Sequence, residues 1–191
     1  MITVVIPTLD SEQVLVPTLA ALVRGSAEGL VREVVLADGG SQDETRKIAD
    51  AAGCEFLRGP QDEGTRLKQA ATIARSGWLL FLDPGAVLDE GWTREVGVFV
   101  AGGGEGSDRA ATFRIAIDGA GLAPRFTEAT STVRLALLGT PRPDQGLLIA
   151  KPFYDALGGH SPGSHPRRRL FARIGRGRLT PLRTRITIRR S

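Results

Sequence analysis

Two aspartates stand where ligand chemistry is easiest to build. Asp38 closes the apolar run Val34-Val-Leu-Ala37, and Asp83 closes Trp78-Leu-Leu-Phe-Leu82. A carboxylate at the exit of a buried strand can accept hydrogen bonds from a base or a ribose. Taken alone, either Asp serves equally well as the cap of the helix that follows. Further along stand Asp144-Gln145, His165 and the run Arg167-Arg168-Arg169. A guanidinium binds phosphate through two parallel hydrogen bonds. An imidazole, with an unperturbed pKa of about 6.5, can take a proton near neutrality. Asp144 is a second candidate base, or else a cap for Gly146 or a ligand for sugar hydroxyls. The bland alternative for His165 is an exposed loop histidine.

Other chemistries are excluded. A phosphate-cradling P-loop needs a Gly-Lys pair, and none occurs. The stretch after the first strand reads Pro7-Thr8-Leu9-Asp10, without the glycines that let a backbone approach a dinucleotide pyrophosphate. There is no His-Glu-x-x-His, and no Gly-x-Ser-x-Gly elbow of the kind that joins a strand to a helix. Two histidines rule out a histidine-rich metal site, and Cys54, the one cysteine, rules out an internal disulfide or a Cys-rich zinc site. Hydride transfer, Walker-type hydrolysis and serine hydrolysis are therefore set aside.

The elements that must position these residues alternate between strand and helix. Ile2–Ile6, 31–37, Cys54–Leu57 and Trp78–Leu82 read as short buried strands. Between them lie helical stretches from Ser11 to about Gly25, from Gln42 to Ala52, and over Glu63–Arg75, where Leu67, Ala71 and Ala74 share a face. Repeated β-α units predict a parallel sheet with helices on both faces, and ligands beyond the carboxyl ends of its strands. That edge comprises Pro7–Asp10, Asp38–Ser41, Arg58–Gly64 and Asp83–Gly85. Arg66 rides a helix whose start faces the edge, where it could reach a phosphate, although a solvated helix face is the default. After a flexible connection at Ala101–Ser107, a strand is expected at Thr112–Ile117 and a helix at Ala123–Leu138. A strand at Gly146–Ala150, a helix at Phe153–Leu157, a basic helical turn near Arg168–Ile174 and a strand at Thr184–Ile188 follow.

With 191 residues the chain forms one domain. Its net charge of +4 hides an asymmetry, because all 21 acidic residues lie at or before Asp155. The segment from Ala156 to Ser191 carries ten arginines and no carboxylate, which leaves 15 basic and 21 acidic groups, or −6, for residues 1–155. Such a distribution suggests an anionic partner, whether a diphosphate, a nucleic acid or a membrane surface. Phe171 is the one aromatic in that segment and no nucleic-acid motif accompanies it, so nucleic acid is the least favoured of the three. The chain contains no apolar run of about 18 residues, and Met1–Pro7 has no basic region of a signal peptide. With one cysteine, this predicts a cytoplasmic protein, with peripheral contact at the inner membrane face as a variant.

Three segments, Val4-Val-Ile-Pro-Thr8, Val34-Val-Leu-Ala-Asp-Gly-Gly-Ser-Gln-Asp-Glu-Thr45 and Gly77-Trp-Leu-Leu-Phe-Leu-Asp83, together resemble the family 2 glycosyltransferases of the GT-A fold. Pro143-Asp-Gln-Gly146 and Phe153–Gly159, ending Leu-Gly-Gly, resemble the acceptor-side half of a bacterial subgroup, the radical-SAM/selenodomain-associated transferases. The resemblance runs in order over about residues 1–160. It implies a three-layer α/β/α domain with a mostly parallel central sheet, a nucleotide-binding half at 1–100 and an acceptor-side half at 107–191. It also implies a nucleotide-diphosphosugar donor, held by Pro7, Thr8, Asp10, Asp38, Gly39, Arg66 and Asp83. Lipid-linked molecules are among the acceptors such enzymes use.

In the family, Asp83 would open an Asp-x-Asp motif whose last carboxylate binds a divalent Mg or Mn on the diphosphate. Here that motif reads Asp83-Pro84-Gly85. Relatives also carry a Glu-Asp pair after Leu-Gly-Gly, the Asp acting as base; here the stretch His160-Ser-Pro-Gly-Ser-His-Pro-Arg-Arg-Arg169 has no acid. Two expectations follow. In the first, sugar transfer proceeds without metal: Gln145, Arg167, Arg168 and Arg169 contact diphosphate or acceptor, and Asp144 or His165 is the base. In the second, a degenerate relative binds nucleotide-sugar as a module or scaffold without turnover.

Overall fold

The computed structural model describes residues 1–104, 106–116 and 142–189. The helix expected at Ala123–Leu138 lies outside the described residues. Four strands form the first half of the sheet: β1 (Ile2–Thr8), β2 (Val31–Asp38), β3 (Glu55–Arg58) and β4 (Trp78–Phe81). Between them come α1 (Glu12–Ala27), α2 (Thr45–Ala51) and α3 (Glu63–Ile73). All of β1 and β4 is buried, as continuous runs of β-branched and large apolar residues demand of central parallel strands. β1 pairs in parallel with both β2 and β4, and β2 with β3. Right-handed crossovers then place α1 and α2 on one face and α3 on the other.

The second half comprises β5 (Ala86–Leu88), α4 (Trp92–Gly103), β6 (Ala110–Ala116), β7 (Leu147–Ala150), α5 (Lys151–Ala156), α6 (Pro166–Ile174) and β8 (Leu179–Ile188). The eight strands lie in the order β3-β2-β1-β4-β7-β6-β8-β5. β7 is antiparallel to β4, with Phe81 opposite Leu147. The chain entering β7 therefore meets the chain leaving β4 at the carboxyl edge of the parallel strands. That edge is where the order of strands reverses around β1, the expected place for a ligand.

Several element boundaries differ from expectation for identifiable reasons. Helix α1 continues past Gly25, which serves to admit the Trp92 ring: a Cβ there would lie 2.6 Å from Trp92 Cη2. Helix α4, not among the expected elements, carries Trp92, Val96, Phe99 and Val100 at helical spacing and absorbs Ala101–Gly103 of the supposed flexible connection. The last strand starts at Leu179 despite Pro181, because β5 pairs with β8 only at Ile186–Ile188 and leaves Pro181 on an edge; the β6–β8 register then shifts between Thr112 and Arg114. At that irregularity Glu95 of α4 accepts the backbone N–H groups of Arg183 and Thr184, each at 2.7 Å. Burial raises the Glu95 pKa, but the bonds from Thr184 and Arg183 outweigh it and hold the carboxyl below its ordinary value.

Candidate functional site

The loops leaving β1 and β2 form one rim, and Asp38 holds it. Only 1% of this residue is exposed. Its Oδ1 accepts Thr8 Oγ1 at 3.0 Å and also the Ser41 hydroxyl. Oδ2 accepts the N–H groups of Gly40 at 2.8 Å and Ser41 at 2.9 Å. Burial alone would push its pKa up, and these bonds pull it below the ordinary carboxylate value. Across the rim, Asp10 sits in the left-handed region at φ 47°. Its N–H donates to Ser41 Oγ at 2.9 Å, and its Oδ1 accepts the Gln42 N–H at 2.7 Å. Pro7–Asp10 and Gly39–Gln42 are thus cross-tied by side chains that the sequence alone would direct at a ligand.

Arg66 is buried, at 6% exposure, and not solvated as a helix face would be. Nε donates to Ala37 O at 3.1 Å, and Nη1 to Gln61 O at 2.6 Å. Gly39 makes this approach easy, since a Cβ there would lie 3.1 Å from Nη1. The guanidinium charge therefore sits directly beneath the strand exits.

At the next exit, Arg167 of α6 bridges two carboxylates. Nη1 is bonded to Asp83, and Nε donates to Glu63 Oε1 at 2.7 Å. The Arg167 side chain is 18% exposed. Burial depresses its basicity, but Asp83 and Glu63 more than offset this, so its pKa is raised. The start of α6 is seated on the start of α3. A Cβ on Gly64 would collide with the Ser161 carbonyl, and would lie 3.0 Å from Pro166 Cβ. Asp62, which caps α3 by accepting the Thr65 N–H, also accepts the Gly163 N–H at 2.7 Å. Two helix N-termini, with their partial positive charge, thereby meet beside Asp83.

The other expected site residues lie nearby but differ in availability. Asp144 Oδ2 is paired with Arg142 Nη2 at 3.1 Å, while Oδ1 is buried with no hydrogen-bond partner among the described residues. Gln145 is buried and accepts the Arg142 N–H at 2.9 Å, closing its own turn. His165 is exposed at φ 56°, immediately before α6. Arg168 is exposed, and Arg169, also exposed, donates to Pro162 O at 3.0 Å. The letters Gly159-His160-Ser161-Pro162-Gly163 do spell Gly-x-Ser-x-Gly. They follow helix α5 instead of a strand, and His160 bonds Tyr154, not Ser161, so no nucleophile elbow is formed.

Sequence reasoning missed Glu63 as the partner of Arg167, and the buried pair Tyr154–His160. The Tyr154 hydroxyl lies 2.9 Å from His160 Nδ1 and accepts the His160 N–H at 3.0 Å. His160 also meets the Phe81 ring edge-on at 4.7 Å. Burial, reinforced by Arg167 and Arg173, pushes its pKa down to about 3, so it is neutral near pH 7. The aromatic-Leu-Gly-Gly-His spacing was the available signal. Gly159 is what folds His160 back: its φ is 67°, and a Cβ there would lie 2.8 Å from Tyr154 Cε1.

These residues do not fit a divalent cation. Among the described residues, no three His, Cys, Asp or Glu side chains gather as a ligand set. Asp83 is already matched with a guanidinium, and a Cβ at Gly85 would collide with the Arg189 carbonyl. Arg189 N–H also donates to Gly85 O at 2.9 Å, which locks the strands over that position.

Residues 3–96 match the model of glycosyl transferase family 2. The matched region spans β1 to the start of α4 and includes Asp38, Glu63, Arg66 and Asp83. No curated protein sequence matches the chain. Among solved structures, glucosyl-3-phosphoglycerate synthase from Mycobacterium tuberculosis, crystallised with Mn2+, UDP and glucosyl-3-phosphoglycerate, superposes with a TM-score of 0.69 at 18% identity. That match covers 100% of this chain and 72% of the synthase. S. aureus TarS 1–349 in complex with UDP superposes with a TM-score of 0.71 at 15% identity, covering 98% of this chain and 60% of that one. The fold is that of the GT-A nucleotide-sugar transferases. Among the described residues no helix is long and apolar enough to cross a membrane.

Proposed function

We propose that the chain binds a nucleotide-diphosphosugar at the β1–β2–β4 edge and transfers the sugar to an acceptor hydroxyl without a divalent cation. The observation that carries this reading is the convergence of Thr8–Asp10, the Asp38 turn, Arg66 and the Arg167–Asp83 pair at one strand edge of a GT-A fold. The family 2 match over 3–96 and UDP in both neighbours support the donor class. In this scheme the Pro7–Asp10 rim and Gly39 receive the base and ribose. Asp38 acts by fixing the rim, since its oxygens are occupied by protein donors. Arg66 and the two helix N-termini supply positive potential for the diphosphate, while Arg167 offsets part of the negative charge of Asp83 and Glu63 beside it.

The reaction breaks the bond from the anomeric carbon to the diphosphate oxygen and forms one to the acceptor oxygen. The nucleoside diphosphate leaves with the bonding electron pair, and the acceptor proton passes to a base. Asp144 is the base we assign, because Oδ1 has no hydrogen-bond partner among the described residues while Oδ2 is fixed by Arg142. Gln145 keeps this turn in shape, His165 and Arg168–Arg169 border the acceptor side, and the acceptor is left open.

A second reading, a nucleotide-sugar-binding module without turnover, draws on the same oxygen. Asp144 Oδ1 is sealed from solvent, so proton transfer requires the turn to open. Calorimetric titration with UDP-, GDP-, ADP-, CDP- and dTDP-sugars, followed by mass spectrometry of the products, separates the cases. Binding with release of the nucleoside diphosphate supports transfer. Binding alone supports the module, and no binding to any donor overturns both.

A further inference from the structure

We infer that Arg167 is a built-in countercation: its guanidinium sits between Asp83 and Glu63 where a recruited divalent cation would sit and offsets part of their charge, so this edge takes no divalent metal. Its purpose rests on the nucleotide-sugar reading, but its geometry does not. Asp83 arrives at the exit of β4 and Glu63 at the first residue of α3, and both bond one guanidinium. Two carboxylates gathered around one point repel each other, and more strongly where the protein keeps bulk water away. A cation between them offsets that repulsion, and here the chain supplies it.

Folding delivers that charge. Helix α6 cannot drift from α3 while Gly64 lies flush against Ser161 and Pro166 and Asp62 holds the Gly163 N–H. The place where a second carboxylate would complete a metal motif is closed by the Arg189 carbonyl over Gly85. The loop between them is held from α1, where Thr18 Oγ1 donates to Pro84 O at 2.6 Å. Asp83 and Glu63 are accordingly positioning residues for the guanidinium. Anion binding at this edge does not depend on the concentration of free metal.

A latent metal site is the consequence. Removing the guanidinium leaves Asp83 and Glu63 facing one another without a countercharge, and a divalent cation can take its place. The test measures Mn2+ binding by the full chain, using electron paramagnetic resonance of free Mn2+ and thermal midpoints with and without Mn2+. The wild type is expected to bind no Mn2+ above a surface-charge control and to show no Mn2+-dependent midpoint. Arg167→Ala is expected to gain Mn2+ affinity by about tenfold or more over wild type, and to lose the gain when Asp83→Asn is added. Should Arg167→Ala unfold in buffer, refolding by Mn2+ supports the inference, and failure of Mn2+ to refold it counts against it. Arg167→Lys, which keeps the charge, is expected to remain blind to Mn2+. Mn2+ binding by the wild type that Asp83→Asn abolishes, or no gain in Arg167→Ala, overturns the inference. A parallel UDP titration in EDTA reports on the nucleotide reading independently, because its failure leaves the Mn2+ results intact.

Discussion

Arg167, on the sixth helix, is ion-paired through Nη1 to Asp83 at the exit of the fourth strand, 84 residues earlier. The pair joins the exit of β4 to the start of α6 at the strand edge that carries the candidate site. Arg167→Met keeps the aliphatic stem and removes the charge, leaving two carboxylates uncompensated. Breaking a buried pair from one side costs about 3–5 kcal/mol, and the partial exposure here puts the expected loss nearer 2–3 kcal/mol. Urea denaturation of the two proteins measures it. Asp83→Asn combined with Arg167→Met should recover part of the loss.

Gly85→Asp writes the letters Asp-x-Asp at 83–85 without creating a metal site. The added Cβ meets the Arg189 carbonyl, so the end of β8 must shift. Overpacking of this kind costs about 1–3 kcal/mol. The variant should melt earlier than wild type and gain no stabilisation by Mn2+, as read by thermal midpoints with and without the ion.

Asp38→Asn replaces one acceptor oxygen with a donor amide in a turn whose hydrogen bonds to that carboxylate all come from donors. At least one N–H or O–H then loses its acceptor, at about 1–3 kcal/mol. Because the rim is cross-tied through Ser41 and Asp10, nucleotide affinity should fall together with stability. Calorimetry and denaturation run on the same variant check both.

Acid stability should depend on His160. In the folded chain its pKa is pushed down to about 3, whereas an unfolded histidine titrates near about 6.5. Between these values the unfolded chain binds a proton that the folded chain refuses. The stabilising contribution is complete above about pH 6.5 and is lost as pH falls toward 3, on the order of 2–3 kcal/mol by pH 4.5. Asp38 and Glu95, whose pKa values are lowered by hydrogen bonds, add acid lability of the same sign. The effect of His160 is therefore the difference in pH slope between wild type and His160→Gln. Equal slopes over pH 4–6.5 would count against it.

The parallel half of the sheet was readable because its strands are continuous apolar runs that end in Pro, Asp or Gly, signals local enough to survive without a structure. Asp38 and Asp83 were placed at the right edge for the same reason. What their oxygens touch was not readable. Asp38 is saturated by its own turn and by Thr8 of β1, and Asp83 is paired with an arginine that α6 brings back from the far end of the chain. The charge asymmetry was visible as arithmetic, and the structure gives it part of its meaning. Arg167 is paired with Asp83 and Glu63, Arg178 with Asp108, and Arg173 donates to carbonyls of Leu157 and Gly159. Through Arg167 and Arg178 the basic end is thus docked on the acidic body, while Arg173 ties that end to itself, relationships that no window of sequence contains. The start of β8 was not readable because Pro181 interrupts it and its displaced register is held by Glu95 of α4, whereas α4 itself carried a legible apolar face at Trp92, Val96, Phe99 and Val100.

The most direct test of metal-free donor binding titrates the wild type and Arg167→Met with a panel of nucleoside diphosphates in excess EDTA. One base should bind the wild type without metal, and the variant should bind it about tenfold or more weakly, because Asp83 and Glu63 then face the diphosphate without a countercharge. A wild type that binds no nucleoside diphosphate unless Mn2+ or Mg2+ is restored would contradict it.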